Sequence, residues 1–182
     1  MSPLTTTPST ARLSSLIVYT EALWSSLSHH DDDSGMLWVV TDTQAQSALH
    51  QLLITQDSRA AATAAVSTIS DLHHSTIQHR YALVCFWLPQ LSADTLQLHI
   101  PTLMRYRDLY AAHMLVALDS QLSLQAYGFT PLDFLEKPQS QAIAPRPLIT
   151  LWQFNLYDYK KRPNWLNSDY WANPEHWDKH RW

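Results

Sequence analysis

Glycine is nearly missing: the 182 residues contain two, Gly35 and Gly128, where ordinary usage of about 7% would supply about a dozen. Loops that take positive φ, or that bring backbone close to a phosphate, rely on glycine because a Cβ obstructs both. The scarcity excludes a P-loop, a G-x-G-x-x-G dinucleotide turn and a G-x-S-x-G nucleophile elbow. Cysteine is scarcer still. Cys85 stands alone, which rules out an internal disulfide and any multi-cysteine metal site and fits a reducing cytoplasm. No apolar run approaches the roughly 20 residues of a membrane span. The opening MSPLTTTPSTARLSS has no basic segment followed by an apolar one, so it does not read as a signal peptide. A formal charge of -4 is too small to steer the molecule as a whole towards nucleic acid or an acidic membrane.

What is present is enough apolar side chain for a core, 46% of the residues, at the length of one domain. Residues 1 to about 11 read as a disordered lead. Leu13, Leu16, Ile17, Leu23, Trp24 and Leu27 gather on one side of a helix over residues 12–27. HHDDDSG breaks it. MLWVVTD, residues 36–42, then has the continuous apolar run of a strand buried on both faces, as do RYALVCFWL, residues 80–88, and HMLVALD, residues 113–119. Thr43 with Gln46 has the form of a capping box opening a helix through about Ile54. Between the second and third strands a helix is expected from Ala93 to Ala111, with Ser92 as its N-cap and Pro101 kinking or restarting it. RAAATAAVSTISDL, residues 59–72, reads either as a helix with a small-residue face or as a flexible insertion, and the helix is favoured. A short helix over 121–127 should end at Gly128. Residues 137–147 are proline-punctuated loop, and Trp152, Phe154 and Leu156 alternate with polar or amphipathic neighbours as in an antiparallel strand buried on one face.

Apolar strands separated by helices make this an α/β domain, a mostly parallel sheet flanked by helices over residues 12–160, with residues 161–182 as an extension. RYALVCFWLPQLSADTLQLHIPTLMRYRDLYAAHMLVALDS followed by Tyr127-Gly128-Phe129 resembles the second half of the class I S-adenosylmethionine-dependent methyltransferase fold, a Rossmann-like architecture. There a strand, a helix, a further strand and a helix before a "GF" turn lead into a terminal hairpin. The ending YDYKKRPNWLNSDYWANPEHWDKHRW is similar to that of a bacterial family of unknown function, which carries a degenerate methyltransferase-like domain. That resemblance implies a fold and no known activity. Methyltransferases follow their first strand with a glycine-rich turn, whereas MLWVVTDTQAQ has none, so Cβ atoms stand where the cofactor would lie. Asp42 and Asp119, at the carboxyl ends of strands, are the candidate cofactor contacts under the methyltransferase alternative; the competing reading makes each a turn or helix-cap aspartate. Otherwise no cofactor is expected.

Other chemistry is weighed and set aside. His29-His30, His73-His74, and His176 with His180 are pairs, and two ligands do not make a metal site. HHDDD lacks the spaced oxygen ligands of a calcium loop. A thiol inside an apolar strand, as Cys85 is, has neither access nor a lowered pKa. No catalytic constellation emerges.

The tail remains. Lys160, Lys161, Arg162, Trp165, Tyr170, Trp171, Trp177, Lys179, Arg181 and Trp182 interleave cations with aromatic rings. They read either as rings folded back onto the sheet or as an exposed platform for a macromolecular partner. That partner would be a protein, where Trp, Tyr and Arg dominate hot spots, or a structured RNA or ribonucleoprotein such as the ribosome, where bases stack on rings. Self-association through the tail is a further possibility, and no membrane partner is expected. The leading expectation is a non-catalytic binding module.

Overall fold

The computed structural model describes residues 8–27, 35–55, 64–73, 80–119, 121–132 and 149–156. These residues build one six-stranded sheet with helices on both faces. Helix α1 spans Pro8–Leu27, strand β1 Met36–Val40, helix α2 Thr43–Thr55 and strand β2 Ala64–Thr68. Strand β3, Tyr81–Leu88, leads through helix α3, Ala93–Arg105, and a π-turn at Tyr106–Tyr110 into strand β4, Ala111–Asp119. Strand β5, Thr130–Leu132, and strand β6, Ile149–Asn155, complete the sheet in the order β2-β1-β3-β4-β6-β5. The first four are mutually parallel, and β6 runs antiparallel to both β4 and β5.

The apolar runs are continuous because the sheet has two dry faces. Leu37, Val39, Val84, Phe86, Met114 and Val116 point to one face, where Leu96 and Leu103 of α3 and Tyr106 of the π-turn cover them. Met36, Trp38, Val40, Cys85, Trp87 and Leu115 point to the other, beneath Leu16 and Ile17 of α1 and Leu49 and Leu53 of α2. The period-2 geometry of a strand sends alternate side chains to opposite faces, so a strand between two helical layers must be apolar at every position. β1 is, and all five of its residues are buried.

Several expectations change. Helix α1 begins at Pro8, so residues 8–11 are helical and do not belong to a disordered lead; proline suits a first helical position, where its missing N–H is no loss. The alanine-rich segment 59–72 is not a helix where it is described. Residues 64–68 form the edge strand β2, paired with β1 from Met36↔Ala64 to Val40↔Thr68, and a 3-10 turn follows at Asp71–His73. Pairing with an existing strand overrides the helical preference of alanine there. Of the two readings of Pro101, a restart does not occur: α3 runs through it from the Ser92 cap to Arg105. Pro101 and Gln97, the residue four positions back, both face solvent, where the carbonyl that lacks its N–H partner can be hydrated. The helix expected over 121–127 is only a 3-10 turn, Gln125–Tyr127, and Gly128 ends it in the left-handed conformation at φ 81°. Strand β6 is antiparallel as expected but buried on both faces: Ile149 and Leu151 enter one core, Trp152 and Phe154 the other. Both faces of the sheet are covered along β6, one by each core, which is the reason.

Candidate functional site

From the adjacent strands β1 and β3 the chain crosses over in opposite directions, β1 to β2 through α2 on one face and β3 to β4 through α3 on the other. Where crossovers diverge in this way, the carboxyl ends of the two strands part and leave a crevice, the usual place for a ligand in open α/β sheets. A cleft of about 380 Å³ lies there. Leu13, Leu52 and Trp87 supply its apolar lining, and Thr41, Asp42, Gln44 and Gln90 its polar groups. Ala45 and Ala48, on the first turns of α2, keep it open because their side chains are short.

Among the described residues, Asp42 is the one ionisable side chain in this lining. It caps α2: Oδ1 accepts the Ala45 N–H at 2.8 Å, and the carbonyl accepts the Gln46 N–H at 3.0 Å. Oδ2 accepts the Thr41 hydroxyl at 3.1 Å. The Ala45 amide first, and then the Thr41 hydroxyl, hold the carboxyl below its ordinary pKa. The capping box expected of Thr43 with Gln46 does not form; Asp42 takes the cap, and Gln46 Nε2 instead donates to the Val66 carbonyl at 2.9 Å, tying α2 to β2.

This geometry limits the chemistry. A general base works best with a pKa near the working pH, and the hydrogen bonds from Ala45 and Thr41 hold that of Asp42 below its ordinary value. The Thr41 hydroxyl points its proton at a carboxylate that is itself a cap, and among the described residues no histidine or lysine lines the cleft to activate it. The carboxylate also occupies the amino end of α2, where a phosphate would otherwise find free amides.

Of the two strand-end aspartates, the structure brings Asp42 to the cleft and leaves Asp119 outside its lining. Asp119 forms a turn at the end of β4: Oδ1 accepts the Gln121 N–H at 2.9 Å and its carbonyl the Leu122 N–H at 3.0 Å. Pro89, at the end of β3, does line the cleft. Leu13, Gln44, Ala48 and Gln90 escaped sequence reasoning; the one local signal was that Pro89-Gln90 follows β3 as Thr41-Asp42 follows β1. Cys85 is fully buried, and burial pushes its thiol well above the ordinary value.

The ten tail residues Lys160, Lys161, Arg162, Trp165, Tyr170, Trp171, Trp177, Lys179, Arg181 and Trp182 lie outside the described residues, as do His29, His30, His74, His176 and His180. Among the described residues no group of three metal-ligating side chains occurs, and no helix is long and apolar enough to cross a membrane.

No curated protein matches the chain. A family model does, over residues 20–182, a stretch that takes in the last turns of α1, every strand, all of the cleft except Leu13, and the tail to its final tryptophan. The chain therefore belongs to that family, a family of unknown function designated DUF6231.

Proposed function

We propose that this protein is a non-catalytic binding module, a degenerate methyltransferase-like, Rossmann-like α/β domain that docks on a macromolecular partner through its aromatic and basic tail. One observation carries the non-catalytic part: Asp42, the one ionisable group lining the cleft among the described residues, serves as the cap of α2, and its hydrogen bonds with Ala45 and Thr41 hold its carboxyl below its ordinary pKa. The methyltransferase-like part draws support from the order β3, α3, β4, the Gly128 turn and the β5–β6 hairpin, the order that the resemblance implies. The docking part rests on the composition of residues 157–182, three tyrosines and four tryptophans among five cations. The single buried cysteine accords with a cytoplasmic setting.

The test is affinity capture from cells with the full chain and with a chain ending at Arg162, both shown to be folded by circular dichroism. A partner that comes down only with the full chain supports docking through the tail. Recovery of nothing by either folded chain overturns it.

The position of the cleft favours a second reading, a methyltransferase with an atypical cofactor site. Calorimetric titration with S-adenosylmethionine separates the two. The binding module gives no heat at micromolar concentrations, whereas heat that disappears in A48W, which fills the cleft, would replace it with the enzyme.

A further inference from the structure

The opposite end of the sheet, where the parallel strands begin, carries a cluster of arginines. Arg80 immediately precedes β3, and Arg105 and Arg107 lie where α3 passes through the π-turn into β4. Because β3 and β4 pair from Tyr81↔Ala111 onwards, both entrances share one edge. Arg80 Nε donates to the Leu109 carbonyl at 3.3 Å, and Arg105 Nη2 donates to the neighbouring Tyr110 hydroxyl at 3.1 Å. Two guanidiniums separated by 25 positions in sequence are thus anchored on adjacent residues of one turn.

The third arginine is used internally. Arg107 pairs with Asp108 at 2.6 Å, donates to the Tyr127 carbonyl and lies over the Phe154 ring at 5.5 Å. Arg80 and Arg105 are exposed and have no carboxylate partner among the described residues. Arg105 also lies over the Tyr110 ring, 5.2 Å from its centroid, and Leu109 beside it is 57% exposed. Among the described residues this edge sets three guanidiniums against one carboxylate, Asp108. β6 ends at the same edge, where the Leu156 N–H donates to the Ala112 carbonyl at 3.0 Å. From there the sequence continues into Lys160, Lys161 and Arg162.

We propose that this arginine edge, Arg80 and Arg105 with Tyr110 and Leu109, binds the phosphate backbone and an unstacked base of RNA. The inference rests on the reading of the chain as a module for a macromolecular partner and adds a surface on the folded domain that the tail does not include. Guanidinium forks match phosphate oxygens in geometry as well as charge. A guanidinium held over a tyrosine ring, with an apolar neighbour, offers the planar and apolar surface on which single-stranded bases stack. A charge that is only solvated has no need of an exposed leucine and a fixed aromatic stage next to it.

The test is fluorescence anisotropy of the full chain with two labelled probes, an oligouridylate and a stem–loop RNA of mixed sequence, over a series of KCl concentrations. Removing both charges in R80Q/R105Q should lower the slope of log Kd against log salt by about 1.4, and weaken binding about 10- to 25-fold at about 0.1 M salt. R80K/R105K, which keeps the charge, should retain most of the slope. H50E/Q51E, on the exposed side of α2, changes net charge by the same amount as R80Q/R105Q and should leave binding nearly as it was. If the double variant does not fold, the single variants R80Q and R105Q should each lower the slope by about 0.7. No binding of either probe, or equal losses in R80Q/R105Q and H50E/Q51E, overturns the proposal. So does a protein partner that R80Q/R105Q releases while neither RNA binds. A partner captured through the tail by wild type and R80Q/R105Q alike, with neither RNA probe bound, would overturn this inference and leave the binding module standing.

Discussion

The two glycines should respond in opposite ways to alanine. Gly128 is left-handed, φ 81° and ψ 15°, and its N–H donates to the Gln125 carbonyl at 3.0 Å as it closes the 3-10 turn. The next residue, Phe129, is buried against Phe154 at 5.8 Å, so the turn aims a core ring. A Cβ in that conformation costs about 1–2 kcal/mol. Alanine returns about 0.4–1 kcal/mol of that by restricting the unfolded chain. G128A should therefore lose about 1 kcal/mol, or about 2–4 °C in Tm for a chain of this length. Gly35 has no positive φ. Its backbone needs no glycine, and G35A should keep the chain-entropy gain and rise by about 1–3 °C. G128N should fall between wild type and G128A, since asparagine tolerates the left-handed region. Urea titrations followed by tryptophan fluorescence, with thermal melts by circular dichroism, would measure all three; an unchanged urea dependence would show that the unfolded state is not altered. A G128A protein as stable as wild type, or equal shifts in the two alanine variants, would refute the reasoning.

Asp42 supplies a test in pH. Its carboxyl is held below the ordinary value by the Ala45 amide and the Thr41 hydroxyl, so its charged form favours the folded state above the ordinary aspartate pKa, and that contribution drains away as pH falls through the folded value. The Tm of wild type should exceed that of D42N at neutral pH, and the gap should close on acidification below about pH 4; a gap that widens towards acid would be incompatible with the cap. Cys85 should be inert to a thiol reagent in the native protein and react only as fast as the molecule unfolds, because it is buried and its thiol is pushed up. Full labelling within the dead time of mixing, in native buffer, would be incompatible with its place in the core.

The reach of the sequence can be followed residue by residue. Ser92 was legible as a cap because capping chemistry is local, and its side chain does accept the Thr95 N–H. Strands β1, β3 and β4 were legible because burial on both faces leaves an uninterrupted apolar run. Asp42 was marked through its place at a strand end. Gln44, Ala48, Gln90 and Leu13 were not, because no periodicity records that α1, α2 and the ends of two strands converge on one cleft.

By itself, then, the sequence determined that β1, β3 and β4 must lie between two apolar layers, that its turns could not be glycine-rich phosphate cradles, and that a helical turn would end at Gly128. Tertiary structure decided the rest. It made a strand of Ala64–Thr68, since an edge position beside β1 offered hydrogen bonds that a solitary helix there could not match. It buried both faces of β6 by setting that strand between the two cores. It drew Arg80 to Leu109 and so set two arginines on one edge. Capping, turn stereochemistry and hydrophobic periodicity act within a few residues, whereas strand order and the meeting of distant side chains arise only when the whole sheet closes around its two cores.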